Sequence, residues 1–227
     1  MKKILALTMM IFSLSVFAKG APVEDFQIWV PINTNVKLGD NLRGFLEIQP
    51  RIGHNAESLD TGIVRPALGW AFNDNWTVWG GYLLQAQRNS STNDYNLENR
   101  AWQGITYKRK FGDNVFQMRN RLEQRFLPHN GDISHRWRTR FRIEHMFVDT
   151  PWSLIGSEEI FVNLNNNEND PQLQAGASQN RGYVGVGYRF NPNFQVETGY
   201  LNQYTFSFDN KADKSNNVWM TNVNLDF

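Results

Sequence analysis

His135-Arg136-Trp137-Arg138-Thr139-Arg140-Phe141-Arg142-Ile143-Glu144 alternates from end to end: Arg136, Arg138, Arg140, Arg142 and Glu144 fall on one side of an extended chain, and Trp137, Thr139, Phe141 and Ile143 on the other. A period of two marks a β-strand, whose successive side chains point to opposite faces. The stretch 116–126 before it does the same, with Arg119, Arg121, Glu123 and Arg125 sharing a face. Seven arginines against two glutamates leave a local excess of +5 on two neighbouring strands, in a chain whose formal net charge is +1.

The alternation extends outward from this hairpin. In 43–52, Gly44, Leu46, Ile48 and Ile52 alternate with Arg43, Glu47, Gln49 and Arg51; in 194–204, Phe194, Val196 and Tyr200 alternate with Gln195, Glu197 and Gln203. Short turns beside aromatics recur at Phe72-Asn73-Asp74-Asn75-Trp76, Phe111-Gly112-Asp113-Asn114-Val115-Phe116, Val148-Asp149-Thr150-Pro151-Trp152 and Phe190-Asn191-Pro192-Asn193-Phe194, with Lys37-Leu38-Gly39-Asp40 as an earlier one. Longer polar stretches, 54–60, 88–96, 128–134, 165–179 and 207–216, separate them. Short turns at one end and long loops at the other are the pattern of an outer-membrane barrel. A soluble β-sandwich also has many strands, but they are shorter and its connections need not alternate in length.

One apolar and one polar face per strand suits a wall between lipid and lumen. An arginine facing lipid at mid-bilayer costs about 2–4 kcal/mol, so the arginine rows must face inward. The expected fold is all-β: a transmembrane antiparallel up-and-down β-barrel of 10 to 12 strands, with short periplasmic turns, longer extracellular loops and an aromatic belt beside the short turns. Eleven segments are strand-like, beginning near residues 24, 42, 62, 76, 97, 115, 136, 152, 181, 194 and 217. Bacterial barrels normally have an even count, so either 25–35 lies outside a ten-strand wall or a twelfth strand exists. Pro50 and Pro66, lacking an N–H, weaken the ladder near the second loop and are tolerable if they sit at strand ends.

The first 18 residues read as a secretory signal peptide: Lys2 and Lys3, an apolar run over 4–17, and the small-residue site Val16-Phe17-Ala18. That run is shorter than the roughly 20 residues a spanning helix needs. The remaining residues, 19–227, form a single domain with a formal charge of −1 once Lys2 and Lys3 are gone, which argues against a nucleic-acid partner. The chain has no cysteine, so neither a disulfide scaffold nor a thiolate metal site is available. Trp219, Thr221, Val223, Leu225 and Phe227 share one face of a final strand that ends on the aromatic. That ending resembles the signal read by the outer-membrane assembly machinery, with Phe227 as its terminal residue. The expected surroundings are therefore outer-membrane lipid and the outer membrane of a Gram-negative bacterium.

Two readings of the interior remain open here. In one, Arg119, Arg121, Arg125, Arg136, Arg138, Arg140 and Arg142 line a passage for small anionic solutes, since guanidinium forks match carboxylate and phosphate. In the other, Glu47, Glu98, Glu123, Glu144 and Glu197 meet these arginines, together with Arg43, Arg51, Arg65, Arg100, Arg181 and Arg189, and fill a narrow barrel with ion pairs. A closed barrel acting through its extracellular loops as a structural or adhesion protein is the competing class, and an enzyme comes third.

The Trp29 strand, Glu98-Asn99-Arg100-Ala101-Trp102-Gln103, Arg121-Leu122-Glu123-Gln124-Arg125 and the Arg136 to Arg142 alternation resemble the bacterial outer-membrane family catalogued as domain of unknown function 2490. The resemblance implies a barrel and a location, and names no substrate. The arginine rows are also analogous to those of acidic-oligosaccharide porins of the oligogalacturonate-channel type.

No enzyme is expected. Barrel lipid hydrolases use a His with a Ser two residues later, and His54, His129, His135 and His145 all lack it. Ser134 and His135 are adjacent and would point to opposite faces. Asp132 with His129 or His135 is a protease-like grouping that reads more simply as solvated loop. Asn165-Asn166-Asn167-Glu168-Asn169-Asp170 offers oxygen ligands for calcium but matches no binding-loop spacing, and a solvated loop is the preferred reading. No metal or cofactor is expected. Gly182, Gly185 and Gly187 precede no helix, so they serve curvature or close packing rather than a phosphate cradle.

Overall fold

A computed structural model describes residues 21–89, 92–127, 132–170, 172–209 and 211–227. The expected signal peptide, Pro128 and His129 lie outside the described residues. Twelve strands are present among those described: β1 (Val23–Trp29), β2 (Ile32–Lys37), β3 (Leu42–Gly53), β4 (Ser58–Ala71), β5 (Trp76–Arg88), β6 (Tyr95–Phe111), β7 (Asn114–Phe126), β8 (Ile133–Met146), β9 (Trp152–Asn163), β10 (Gly176–Asn191), β11 (Phe194–Thr205) and β12 (Lys214–Asp226). They form one closed sheet in which each strand from β3 to β12 pairs antiparallel with its successor.

Closure resolves the parity question in a way neither sequence alternative contained. β1 and β2 occupy one position in the wall in succession: both pair parallel with β12, and both contact β3 antiparallel. The wall therefore has eleven positions, and its seam is a parallel pair. With an odd number, the chain enters at the long-loop rim and ends at the short-turn rim. The break between β1 and β2 falls at Pro31, whose carbonyl accepts from Val223 N–H but which has no N–H of its own. Pro50 stands beside the same break, its carbonyl accepting from Val30 N–H.

The prolines thus sit inside strands, not at their ends. Pro66 is paired with Leu46 in the middle of β4, and on its other side the β4–β5 ladder skips from Val64–Leu84 to Ala67–Gly81. The missing donor is accommodated where the ladder is already interrupted. A second correction concerns 54–60, which is no long loop. Residues 54–57 make a tight turn with His54, Asn55 and Ala56 all in the left-handed region, held by the Asp25 carboxylate, which accepts from Asn55 N–H at 2.8 Å.

The distribution of polarity is inverted relative to a soluble protein. Leu68 is 59% exposed, Val184 51% and Trp219 50%, whereas Glu123 is 1% and Arg138 4% exposed. Exposed apolar residues cover the outside and charged residues fill the inside, as a lipid-embedded wall requires. At the short-turn end the outward aromatics contact one another: Trp152–Tyr188, Tyr188–Phe190 and Phe190–Phe194 have ring centroids 4.7–4.8 Å apart, as do Trp76–Tyr107 at 4.7 Å. Of the β10 glycines, Gly185 and Gly187 serve close packing. Gly185 stands opposite Gly199, and a Cβ on Gly199 would collide with the Val184 carbonyl.

Candidate functional site

Each of the seven arginines read as inward-facing lies on the inner face of β7 or β8, because a period of two leaves a strand only one way to keep its apolar side in lipid. Five of them reach a carboxylate closely. Arg125 donates to Glu98 at 2.6 Å and Arg136 to Glu123 at 2.6 Å. Arg138 bridges Glu123 at 2.6 Å and Glu159 at 3.1 Å, Arg119 reaches Glu159 at 2.9 Å, and Arg142 holds Glu197 at 2.8 Å and Glu144 at 2.9 Å. Glu47 pairs with Arg65, and Glu98 also accepts from Arg100 at 2.7 Å.

Arg121 and Arg140 differ. Arg121 comes no nearer to a carboxylate than 3.9 Å, at Glu123, and its guanidinium lies 4.0 Å over the Trp102 ring. Arg140 donates to Gln117 at 2.7 Å, and no carboxylate lies within 4.0 Å of it among the described residues. All five expected glutamates lie within 4.0 Å of an arginine, in an ion network that lines the interior. It is unbalanced nonetheless. Glu47, Glu98, Glu123, Glu144, Glu159 and Glu197 are shared within 4.0 Å by ten arginines, and Arg51 and Arg140 lie beyond that reach.

Glu159 was not anticipated from sequence, although it serves Arg119, Arg138 and Arg181. Its strand presents Ser153, Ile155, Ser157, Glu159 and Phe161 inward, a mixture with no polar face to read, and the adjacent Glu158 points outward. The aromatic members of the interior were missed for the same reason. Arg138 and Arg181 stack over Phe161 at 4.5 and 4.6 Å, and Arg51 over Trp29 at 3.8 Å. Such stacking holds a guanidinium without neutralising it.

Among the described residues a cavity of about 300 Å³ opens inside the barrel at the short-turn end and another of about 440 Å³ at the long-loop end. The first is lined by Arg119, Arg121, Arg140 and Arg142, the second by Arg51, Arg65, Arg100, Arg136, Arg138 and Arg181. They share no lining residue. Between them lies a layer containing Glu47, Glu123, Glu159, Phe161 and Leu83, which line neither, and the cluster of Trp29, Ile155, Tyr183, Leu201 and Val218.

At the long-loop rim, Ser58 Oγ lies 3.3 Å and Asp60 3.8 Å from His54, both at the same nitrogen, Nδ1. A proton relay needs the two partners on different ring nitrogens, so this grouping does not form one. Ser134 is buried in the interior while His135 faces the other way. The Asn-rich loop is folded against β8 rather than simply solvated: Asn165 Oδ1 accepts from His135 N–H at 2.7 Å, and the fully buried Asn167 donates to Ser134 Oγ at 3.0 Å. No cluster of three His, Asp or Glu suited to a metal occurs among the described residues.

A closed sheet with an apolar exterior, an aromatic row at one rim and a charged interior defines a β-barrel of the outer-membrane type. The chain belongs to the family described as protein of unknown function DUF2490, whose model matches residues 26–215. An uncharacterised protein of Methylorubrum extorquens is 33% identical over 204 residues, covering 86% of this chain and 87% of its own length. Among solved structures, the NanC porin has the same fold at 12% identity, with a TM-score of 0.51 over 89% of this chain and 99% of that one. The outer-membrane-expressed OmpT of Vibrio cholerae aligns at 14% identity with a TM-score of 0.42 over 80% of this chain, which spans 61% of the OmpT chain.

Proposed function

We propose that this protein is an outer-membrane channel for small anionic solutes, acidic sugars among them, drawn in by an interior that is cationic after its internal ion pairs are counted. The observation that carries this reading is the imbalance of six glutamates among ten arginines, with Arg51 and Arg140 outside their reach. A purely structural network in a closed barrel has no need of a charge excess, because each uncompensated buried charge costs stability. Arg119, Arg121, Arg125, Arg136, Arg138, Arg140 and Arg142 are the anion contacts, and the glutamates space them.

In this proposal residues 1–18 are removed on export, 19–227 form the single barrel domain in outer-membrane lipid, and Phe227 serves the assembly machinery. No catalytic role is included. A second reading, a barrel closed at mid-height that acts through its loops, is favoured by the two cavities having no lining residue in common. Single-channel recording of the refolded protein in a planar bilayer under a salt gradient separates the two. Discrete anion-selective currents, losing selectivity when Arg138→Gln and Arg140→Gln are combined, are the expected result. A folded barrel that passes no current refutes the channel and leaves the closed reading.

A further inference from the structure

The cavity at the short-turn end carries a feature that the remaining interior shares only in part. Arg121 is 4% exposed and lines this cavity, yet its Nε and Nη1 have no hydrogen-bond partner. Arg140 Nε and Trp102 Nε1, on the same lining, are also buried and unpartnered. The Tyr183 hydroxyl is the other buried unpaired atom on this lining, and among the described residues no carboxylate or amide oxygen is left unpaired, so what the lining lacks is chiefly acceptors. Buried donors normally find partners, and guanidinium donors are matched best by a planar or tetrahedral oxyanion.

The electrostatics point the same way. Arg119 stands opposite Arg140, and Arg121 opposite Arg138, in the β7–β8 register. Directly opposed like charges destabilise a strand pair. The carboxylates that reach this group are already divided, Glu123 among Arg100, Arg121, Arg136 and Arg138 and Glu159 among Arg119, Arg138 and Arg181. Glu144 and Glu197, also on the lining, are bound by Arg142.

We infer that Arg119, Arg121 and Arg140, with the Trp102 indole N–H, form a discrete binding site for the carboxylate or phosphate group of a small solute. The site deepens the anion-channel proposal and rests on it for its role in passage, although binding is measured separately. It makes the short-turn cavity a saturable station rather than a stretch of featureless positive field.

Isothermal titration of the full refolded chain in detergent tests it, with glucuronate, inorganic phosphate and neutral glucose as probes. Saturable one-to-one binding of at least one anion and none of glucose is expected, and which anion binds tells carboxylate from phosphate solutes. Affinity should fall at least tenfold in Arg121→Gln and in Arg140→Gln. It should not change in Arg109→Gln, which removes an exposed charge from the outer face of β6. Each variant is checked for folding by its mobility on an unheated gel; Arg121→Lys, which keeps the charge and loses the fork, is the fallback, expected to bind more weakly than wild type. Absence of anion binding to folded wild type, or wild-type affinity in the two glutamine variants, overturns the site. Binding without conductance would retain the site and remove the channel; anion-selective conductance without saturable binding would do the reverse.

Discussion

Arg119 and Arg140 face each other across the β7–β8 ladder, both turned into the lumen, and only Arg119 reaches a carboxylate, Glu159 at 2.9 Å. The pair is repulsive, and among the described residues Arg140 has no carboxylate within 4.0 Å, its hydrogen bond going to the Gln117 amide. In low-salt, anion-poor detergent solution, Arg140→Gln should therefore unfold at the wild-type temperature or slightly above it, a gain of about 0.2–1 kcal/mol. Thermal melts followed by circular dichroism measure this. A substantial loss of stability would show that Arg140 is held by attraction absent from this geometry.

Glu159 is the opposite case. Replacing it with Gln leaves Arg119, Arg138 and Arg181 without their shared carboxylate in a site where Glu159 itself is 6% exposed. Breaking buried ion pairs from one side costs about 3–5 kcal/mol. Glu159→Gln should lower the unfolding midpoint far more than Glu158→Gln, which alters the outer face of the same strand. Equal midpoints for the two would contradict the network.

The parallel seam makes a positional claim that chemical cross-linking can check. Phe26 is the register partner of Asn217, and both side chains face outward. Because the chain has no native cysteine, Phe26→Cys combined with Asn217→Cys should join under mild oxidation or with a short bis-maleimide, shifting mobility on a denaturing gel. Phe26→Cys with Leu225→Cys, at the far rim, should remain unlinked. The reverse pattern would mean that β1 lies against the other end of β12.

Gly199 has no room for a side chain, since a Cβ would overlap the Val184 carbonyl and crowd Gly185. Gly199→Ala should destabilise the barrel by about 1–3 kcal/mol, the usual range for overpacking. Denaturant titration in lipid vesicles reads the effect, and wild-type stability in this variant would show that β10 and β11 are further apart.

Trp29 is 2% exposed, donates to Gln27 Oε1 at 2.8 Å and carries Arg51 on its face at 3.8 Å. It lies in the layer between the cavities, so Trp29→Ala should connect them and raise single-channel conductance. Conductance equal to that of wild type would place the constriction elsewhere.

How much of this was legible beforehand varied with the strand. β8 and β12 declared their faces because one side was uniformly charged or uniformly apolar; β9, with Ser153, Ile155, Glu159 and Phe161 on its inner face, declared nothing, and so Glu159 stayed hidden. The short-turn positions were readable from Asn, Asp, Gly and Pro, whereas 54–57 looked like a loop because it has neither Gly nor Pro and puts Ala56 in left-handed backbone, which only its neighbours His54 and Asn55 are of a type to favour.

By itself the sequence determined the barrel, the inward direction of the arginines and the rim of each short turn, because these follow from local alternation and turn chemistry against a lipid exterior. Only the tertiary structure decided that residues 23–37 close the wall as one interrupted position parallel to β12, which arginine meets which glutamate, and which donors remain unpaired around the short-turn cavity. Those outcomes depend on shear, closure and side chains from opposite walls meeting across the lumen. Such distances are set by the whole circumference and are encoded in no single stretch of chain.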